Sequence, residues 1–315
     1  MTPLPLLLRI LADQHGVPAA LLAEGGAVQA SQLADLSGQI VCLYHPGHAD
    51  AALFEQHGWQ ALAEGALCHV DQRLAPDAIA PGATLIDGLW WRADPAKPAG
   101  AQAASRALAL QLVERVAADA DTHEIEALLR QDPALSYQLL RLVNAIGAGS
   151  GRRITSFGQA ILILGRQQLR RWLNLMLFAA RDGDVRSAML LARVAVRARL
   201  LELLARLHGG DRLTQEQAFM TGMFSLLGVL FGMPMAQLLA PLSLGEAVHA
   251  ALLDGQGELG ALLALADCAE RADLDGVSAQ LAALHLPLDG FNGAMAEAND
   301  WMLGALRDTQ GGARG

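Results

Sequence analysis

Residues 132–165, DPALSYQLLRLVNAIGAGSGRRITSFGQAILILG, constrain this chain more than any other stretch. Asp132 and Pro133 read as a helix start: an N-cap, then a proline at the first helical position, where a missing N–H costs nothing. Leu135, Leu139, Leu142, Val143 and Ile146 follow as one apolar stripe. A glycine-rich corner comes next. Ser156 with Gln159 fits a capping box that opens a second helix, and Gly165 stops it. Asn144 stands near the end of the first helix. It either closes that helix in the left-handed conformation or ties the 147–151 loop to a neighbour.

The punctuation continues downstream. Thr214 with Gln217 fits another capping box, and His208-Gly209-Gly210 closes a long helix that begins near Val185. From Gln102 on, the chain reads as helix after helix. A composition 53% hydrophobic yet only 4% aromatic, rich in alanine and leucine, agrees with packed helices. Residues 1–100 differ. QIVCLYHPGH and ATLIDGLWW are short β-leaning runs, and the stretch AALFEQHGWQALAEGA between them has helical spacing. The proline- and glycine-bearing RADPAKPAG is the best linker in the chain. The expected organisation is multidomain: a small α/β part over 1–100, an all-α part over 101–309 and a mobile tail over 310–315.

Many chemistries are missing. Lys97 is the single lysine and no GK pair occurs, so there is no Walker-type phosphate loop. There is no HExxH, CxxC or GxSxG, and no histidine is followed by aspartate. His208 and Asp211 read as a helix-end pair, not metal ligands. Asp267, Cys268 and Glu270 read as a solvated acidic face. Three widely spaced cysteines give no disulfide framework and point to a reducing compartment. The opening MTPLPLLLRILADQHG is a poor signal peptide, because it lacks a basic start and Arg9 breaks its apolar run. No stretch of about 18 uncharged apolar residues predicts a membrane span, so the expected location is cytoplasmic.

The net charge of −9 is unevenly distributed. Residues 1–100 carry net −6, residues 101–140 net −3, residues 141–212 net +9 and residues 213–315 net −9. Arg152 and Arg153 flank the glycine-rich corner, and Arg166, Arg170 and Arg171 open the helix after it. Trp172 is interleaved with them, so that helix must also bury an apolar face. Arg186, Arg193 and Arg197 fall on a narrow arc of a later helix. Two readings stand: an arginine-lined concavity that accepts an anion with planar donor forks, or an internal cradle for the acidic N- or C-terminal part. The surplus negative charge of the flanks favours the cradle.

The stretch beginning LLRQDPALSYQLLRLVNAIGAGSGRRITSFGQAILILG resembles the HD-related output domain, HDOD. The residues that carry the resemblance are Asp132, Pro133, Leu135, Val143, Asn144, Ile154, Ser156, Ala160, Ile161, Leu164 and Gly165. It continues through RRWLNLMLFAA and AFMTGMFSLLGVLFGMP and covers roughly 103–275. The versions RRWL and GMFSLL are similar to those of bacterial signal-transduction proteins in which an EAL domain precedes HDOD, in the cyclic-di-GMP world. Metal-dependent relatives carry a His-Asp pair inside the helix that here reads GMFSLLG. Ser225 and Leu226 stand at that degenerate HD position, and neither replaces an imidazole and a carboxylate.

FEQHGWQALAEGA followed by LIDGLWWRADP resembles the end of an EAL barrel, with Ala63, Glu64 and Gly65, then Asp87, Gly88 and Leu89, at the matching places. A full barrel needs about 250 residues, and Glu64 alone cannot hold a metal pair. The resemblance implies a truncated, inactive EAL-like remnant; a degenerate receiver-like α/β module is the alternative. The expected function is a non-catalytic signal-transduction output protein with no cofactor, acting through contacts with other signalling proteins or a second copy of itself. A nucleotide or nucleic acid on the arginine block is the alternative.

Overall fold

The computed structural model describes residues 4–26, 30–95, 184–240 and 244–310, with isolated positions between 111 and 127. Its N-terminal apolar runs pair as an antiparallel hairpin of β1 (Leu6–Ala12) and β2 (Pro18–Gly25). The turn is fixed by Asp13, whose Oδ1 accepts from the backbone N–H groups of His15 and Val17. Next come α1 (Ala30–Ser37), β3 (Val41–Tyr44), α2 (Ala51–Gln56), β4 (Gln60–Ala61), β5 (Leu67–His69) and β6 (Leu85–Asp87). The mixed α/β character expected of this part is present, with β3 and β6 in the two β-leaning runs. The β1–β2 hairpin is an addition that the sequence reading did not foresee.

The six strands form one sheet in the order β4-β3-β2-β1-β6-β5. β2, β3 and β4 are parallel, β5 and β6 are parallel, and β1 runs antiparallel to both β2 and β6. Five strands therefore point one way and β1 the other. The edge strands β4 and β5 are consecutive in sequence, joined only by residues 62–66. Leu62 and Leu67 from this seam, with Leu85, pack on Leu11, Ala20, Leu22 and Leu43. A cluster fed from both edges and the centre requires the sheet to curl into an incomplete barrel whose inner face is filled by side chains.

The other face of the sheet lies on helices. α3 (Ser187–Leu207) is the central one and is buried on almost every side, as a helix without a polar face must be. Around it follow α4 (Arg212–Phe224), α5 (Leu227–Phe231), α6 (Met235–Leu239), α7 (Glu246–Asp254), α8 (Gly257–Glu270), α9 (Leu274–Ala283) and α10 (Leu288–Gln310). α4, α8 and α10 pack on α3, and α3, α8 and α10 all touch β1. One contiguous apolar core runs from Leu6, Leu8 and Ile10 of the sheet through Trp90 and Trp91 to Leu201, Phe219 and Phe291 of the helices. Capping corrects one expectation. α4 is capped by Asp211, whose carboxylate accepts from both the N–H and the hydroxyl of Thr214, so Thr214 lies inside the helix. The aspartate is the better cap because it satisfies an orphan N–H and meets the helix dipole with full charge.

The two ends of the chain are tied together. The Leu6 N–H, at the start of β1, donates to Asn292 Oδ1 of α10 at 2.9 Å, with both residues buried. Asn292→Ala orphans that N–H and is expected to cost about 1–2 kcal/mol. A urea midpoint that falls at unchanged slope is the confirming result; an unmoved midpoint rejects the tie.

Candidate functional site

The positions Asp132, Pro133, Asn144, Arg152, Arg153, Ser156, Gly165, Arg166, Arg170, Arg171 and Trp172 lie outside the described residues. The described end of the basic block carries Arg186, Arg193 and Arg197 at the junction between sheet and helices. All three are buried. Arg186, the N-cap of α3, holds Asp184 through its Nε and Nη2. Its Nη1 donates to the carbonyls of Ala93 and Val229, so it ties the segment after β6 to α5.

Arg197 is the centre of the junction. Its Nε donates to Glu270 Oε1 at 2.5 Å and its Nη2 to Glu270 Oε2 at 2.8 Å, a two-pronged pair. The same Nη2 reaches Asp267, and Nη1 donates to Ser225 Oγ at 3.2 Å. Ser225 in turn donates to the carbonyl of Gly222 at 2.7 Å, and Thr221 bonds back to Gln217 at 2.8 Å. Both hydroxyls thus return to the preceding turn, but GMFSLLG is not the single helix expected: Ser225 is the C-cap of α4, and α5 begins at Leu227. Leu226 is buried in the core. The chain therefore places at Ser225 a hydroxyl that accepts from a fixed guanidinium beside two carboxylates. The serine and leucine offer neither imidazole nor carboxylate, so they do not fit a divalent metal. Among the described residues no group of three or more His, Cys, Asp or Glu side chains could hold one.

This arrangement overturns the solvated-face reading of α8. Glu270 retains 11% side-chain exposure and Asp267 34%, and Cys268 is buried. The partner that draws the two carboxylates inward lies more than sixty residues earlier in the chain. Burial by itself would push the Glu270 carboxyl up. The charge and hydrogen bonds of Arg197, with Arg193 and Arg92 behind it, outweigh burial and hold it below the ordinary glutamate value. For Arg197 the two carboxylates likewise outweigh burial and raise its affinity for the proton. A depressed carboxyl contributes stability above the unfolded value of about 4.5, and that contribution is lost as pH falls through the folded value. Thermal melts from about pH 6 to about pH 3 should show the midpoint falling below the ordinary glutamate range, and less steeply in Glu270→Gln. Identical pH profiles for the two proteins would sink this assignment.

Arg193, one turn before Arg197, has a different environment. Its guanidinium lies 5.2 Å over the Trp91 ring, whose surroundings also include Arg92 at 4.9 Å. Its Nη2 donates to the Ile10 carbonyl of β1 at 3.3 Å. Arg92 reaches Glu270 Oε2 at 3.9 Å. Trp91, Arg92, Arg193, Arg197 and Glu270 thus join the strand β1, the end of β6, α3 and α8.

A second cluster lies on the far side of the sheet. His45, Glu24, Arg9, Asp87 and His69 form a row in the order in which their strands lie. His45 Nε2 is 2.9 Å from Glu24 Oε1, which is 3.0 Å from Arg9 Nη1. Arg9 pairs with Asp87, and Asp87 Oδ2 is 3.5 Å from His69 Nδ1. Glu24, His45, His69 and Asp87 all stand at or just beyond the C-terminal ends of parallel strands. This is the end where α/β barrels assemble their sites. Gly88 follows at φ +106, and a Cβ there would meet the Val70 carbonyl oxygen at 2.2 Å, so the strand can turn away only with glycine. Glu64 is exposed in the β4–β5 loop and does not join the row. Nothing in the sequence reading singled out Glu24, His45 or His69. Their shared position at strand ends was the available signal, and it needed β1 and β2 to be recognised first.

A cyclic di-GMP phosphodiesterase of Vibrio cholerae, CdgJ, is 35% identical over 195 residues, 62% of this chain and 45% of that protein. The uncharacterized protein YuxH of Bacillus subtilis is 30% identical over 152 residues, 48% of this chain and 37% of that one. The chain spans less than half the length of these curated relatives. Among solved structures, a proposed phosphohydrolase of Shewanella amazonensis aligns with a TM-score of 0.47 at 17% identity, covering 64% of this chain and 93% of that one. An HDOD domain protein of unknown function from Geobacter sulfurreducens aligns with a TM-score of 0.37 at 19% identity, covering 70% and 84%. A model of the HDOD domain matches residues 106–268, more than half of the sequence, and the chain belongs to the HDOD family.

Proposed function

We propose that this chain is a non-catalytic signal-transduction protein whose HDOD part is an output module acting through protein contacts, in signalling of the cyclic-di-GMP type. The observation that carries the reading is Ser225. Metal-dependent HD relatives bear a histidine and an aspartate at this place, and here the serine hydroxyl accepts from Arg197, which is locked to Glu270 and Asp267. A guanidinium already bound by the chain offers no coordination site to a metal. The similarity to a protein named a cyclic di-GMP phosphodiesterase supports the signalling context.

The N-terminal part fits an EAL-type remnant. Five co-directional strands with one reversed strand place titratable side chains at their C-terminal ends, yet Asp87 and Glu24 are both taken by Arg9. Neither of these two carboxylates is therefore free for a metal. The arginines of the basic block within the described residues engage partners inside the chain, which favours a protein partner over a nucleotide. That partner is another signalling protein or a second copy of the chain.

Elemental analysis and a hydrolysis assay test this reading together. Purified protein is expected to carry far less than one tightly bound transition metal per chain and to leave cyclic di-GMP intact. About one or two bound metal ions per chain, or turnover of the dinucleotide, would overturn it.

A further inference from the structure

Arg193 is a buried cation that the fold leaves incompletely matched. It keeps only 6% of its surface. No carboxylate of the described residues lies within ion-pair distance of it, and its Nε–H is buried without an acceptor. Its one neighbouring carboxylate, Glu270, already accepts from Arg197 with both oxygens and lies near Arg92. Three further guanidiniums, those of Arg9, Arg92 and Arg197, raise the positive potential at Arg193. Burial and this company lower its pKa to about 10, still far above neutrality, so the charge persists under physiological conditions. A buried ion without a counter-charge is costly.

Beside Arg193 lies a cavity of about 20 Å³, lined by Arg193, Arg197 and Glu270 and otherwise by apolar side chains, among them Leu8, Ile10 and Met295. Such a volume takes one particle of roughly the size of a water molecule. We propose that this cavity binds a single small monovalent anion of halide size, with the Arg193 Nε–H as its donor. The walls come from the sheet (Leu8, Ile10), from α3, from α8 and from α10. The anion therefore cements the sheet to the helices, and anion concentration sets how firmly the N-terminal part is seated. Sulfate, phosphate and organic anions are excluded by size. Glu270 does not repel the anion strongly, because Arg197 neutralises both of its oxygens.

The test compares thermal melts of the full chain in sodium chloride, sodium bromide and sodium gluconate at one ionic strength. Chloride and bromide should raise the midpoint saturably, by about 2 °C at ten times the dissociation constant, and gluconate should not. In Arg193→Met the difference between the salts should vanish. Equal midpoints for the unmodified protein in all three salts would overturn the proposal, as would a halide-specific rise that persists in Arg193→Met. Should that variant fail to fold, crystals of the unmodified protein soaked in bromide decide. An anomalous peak beside Arg193 supports the site, and a water molecule or no peak there refutes it.

Discussion

Arg197→Met is expected to destabilise the protein by about 3–5 kcal/mol, the usual consequence of removing one partner from a buried ion pair. The size follows from what is left behind. Glu270, almost wholly buried, would lose two charge-assisted hydrogen bonds, and Arg92 at 3.9 Å is too distant to replace them. Ser225 Oγ would lose its donor. Methionine is close to arginine in length and can fill the volume, so the loss would be electrostatic and not a cavity effect. Urea unfolding measures it, and a midpoint shift worth less than about 1 kcal/mol would mean that the cluster is exposed to water. The double variant Arg197→Met with Glu270→Met should recover much of the loss, since two apolar side chains of similar volume often replace a buried pair at little cost. Additive losses would show instead that the two residues act independently.

Among the described residues, the long helix α3 was legible from sequence because its end carries local signals. Gly209 takes φ +93 where the His-Gly-Gly stop was expected, and Ser187–Leu207 begins two residues from the expected start. The first hairpin was not legible, and the reason lies in β1. Its residues are buried on both faces, between the helices and the inner cluster of the curled sheet. A strand buried on both faces shows a continuous apolar run and no alternation. LLLRILA therefore read as a failed leader segment. Arg9, which seemed only to interrupt that run, is the middle of the charged row across the strand ends. The acidic residues of α8 were misread for a related reason. Helical spacing shows which residues share a face, but it cannot show that Arg197, in another helix, draws that face inward. Both errors concern contacts between elements distant in sequence, and those contacts build the candidate site.

Gly222 makes the same point as a prediction. In the sequence it is one glycine of GMFSLLG, and it falls in the last turn of α4, where glycine costs up to about 1 kcal/mol relative to alanine in propensity alone. In the structure α4 crosses α3 at this residue. A Cβ there would stand 2.6 Å from both the Cα and the backbone nitrogen of Ala198, and 2.7 Å from the carbonyl carbon of Arg197. All three are backbone atoms of a buried helix, so no flexible side chain can yield. The close approach is also what brings Ser225, three residues on, within reach of Arg197. Gly222→Val is therefore expected to cost about 2–3 kcal/mol, the upper part of the range for overpacking a core. Its effect should overlap with that of Arg197→Met, because forcing α4 away from α3 also withdraws Ser225 from the guanidinium. A melting midpoint equal to or above that of the unmodified protein would reject the close crossing, since helix propensity on its own favours the substitution. A fall in midpoint, with the loss in Gly222→Val plus Arg197→Met smaller than the sum of the two single losses, would place the crossing and the arginine cluster in one cooperative unit.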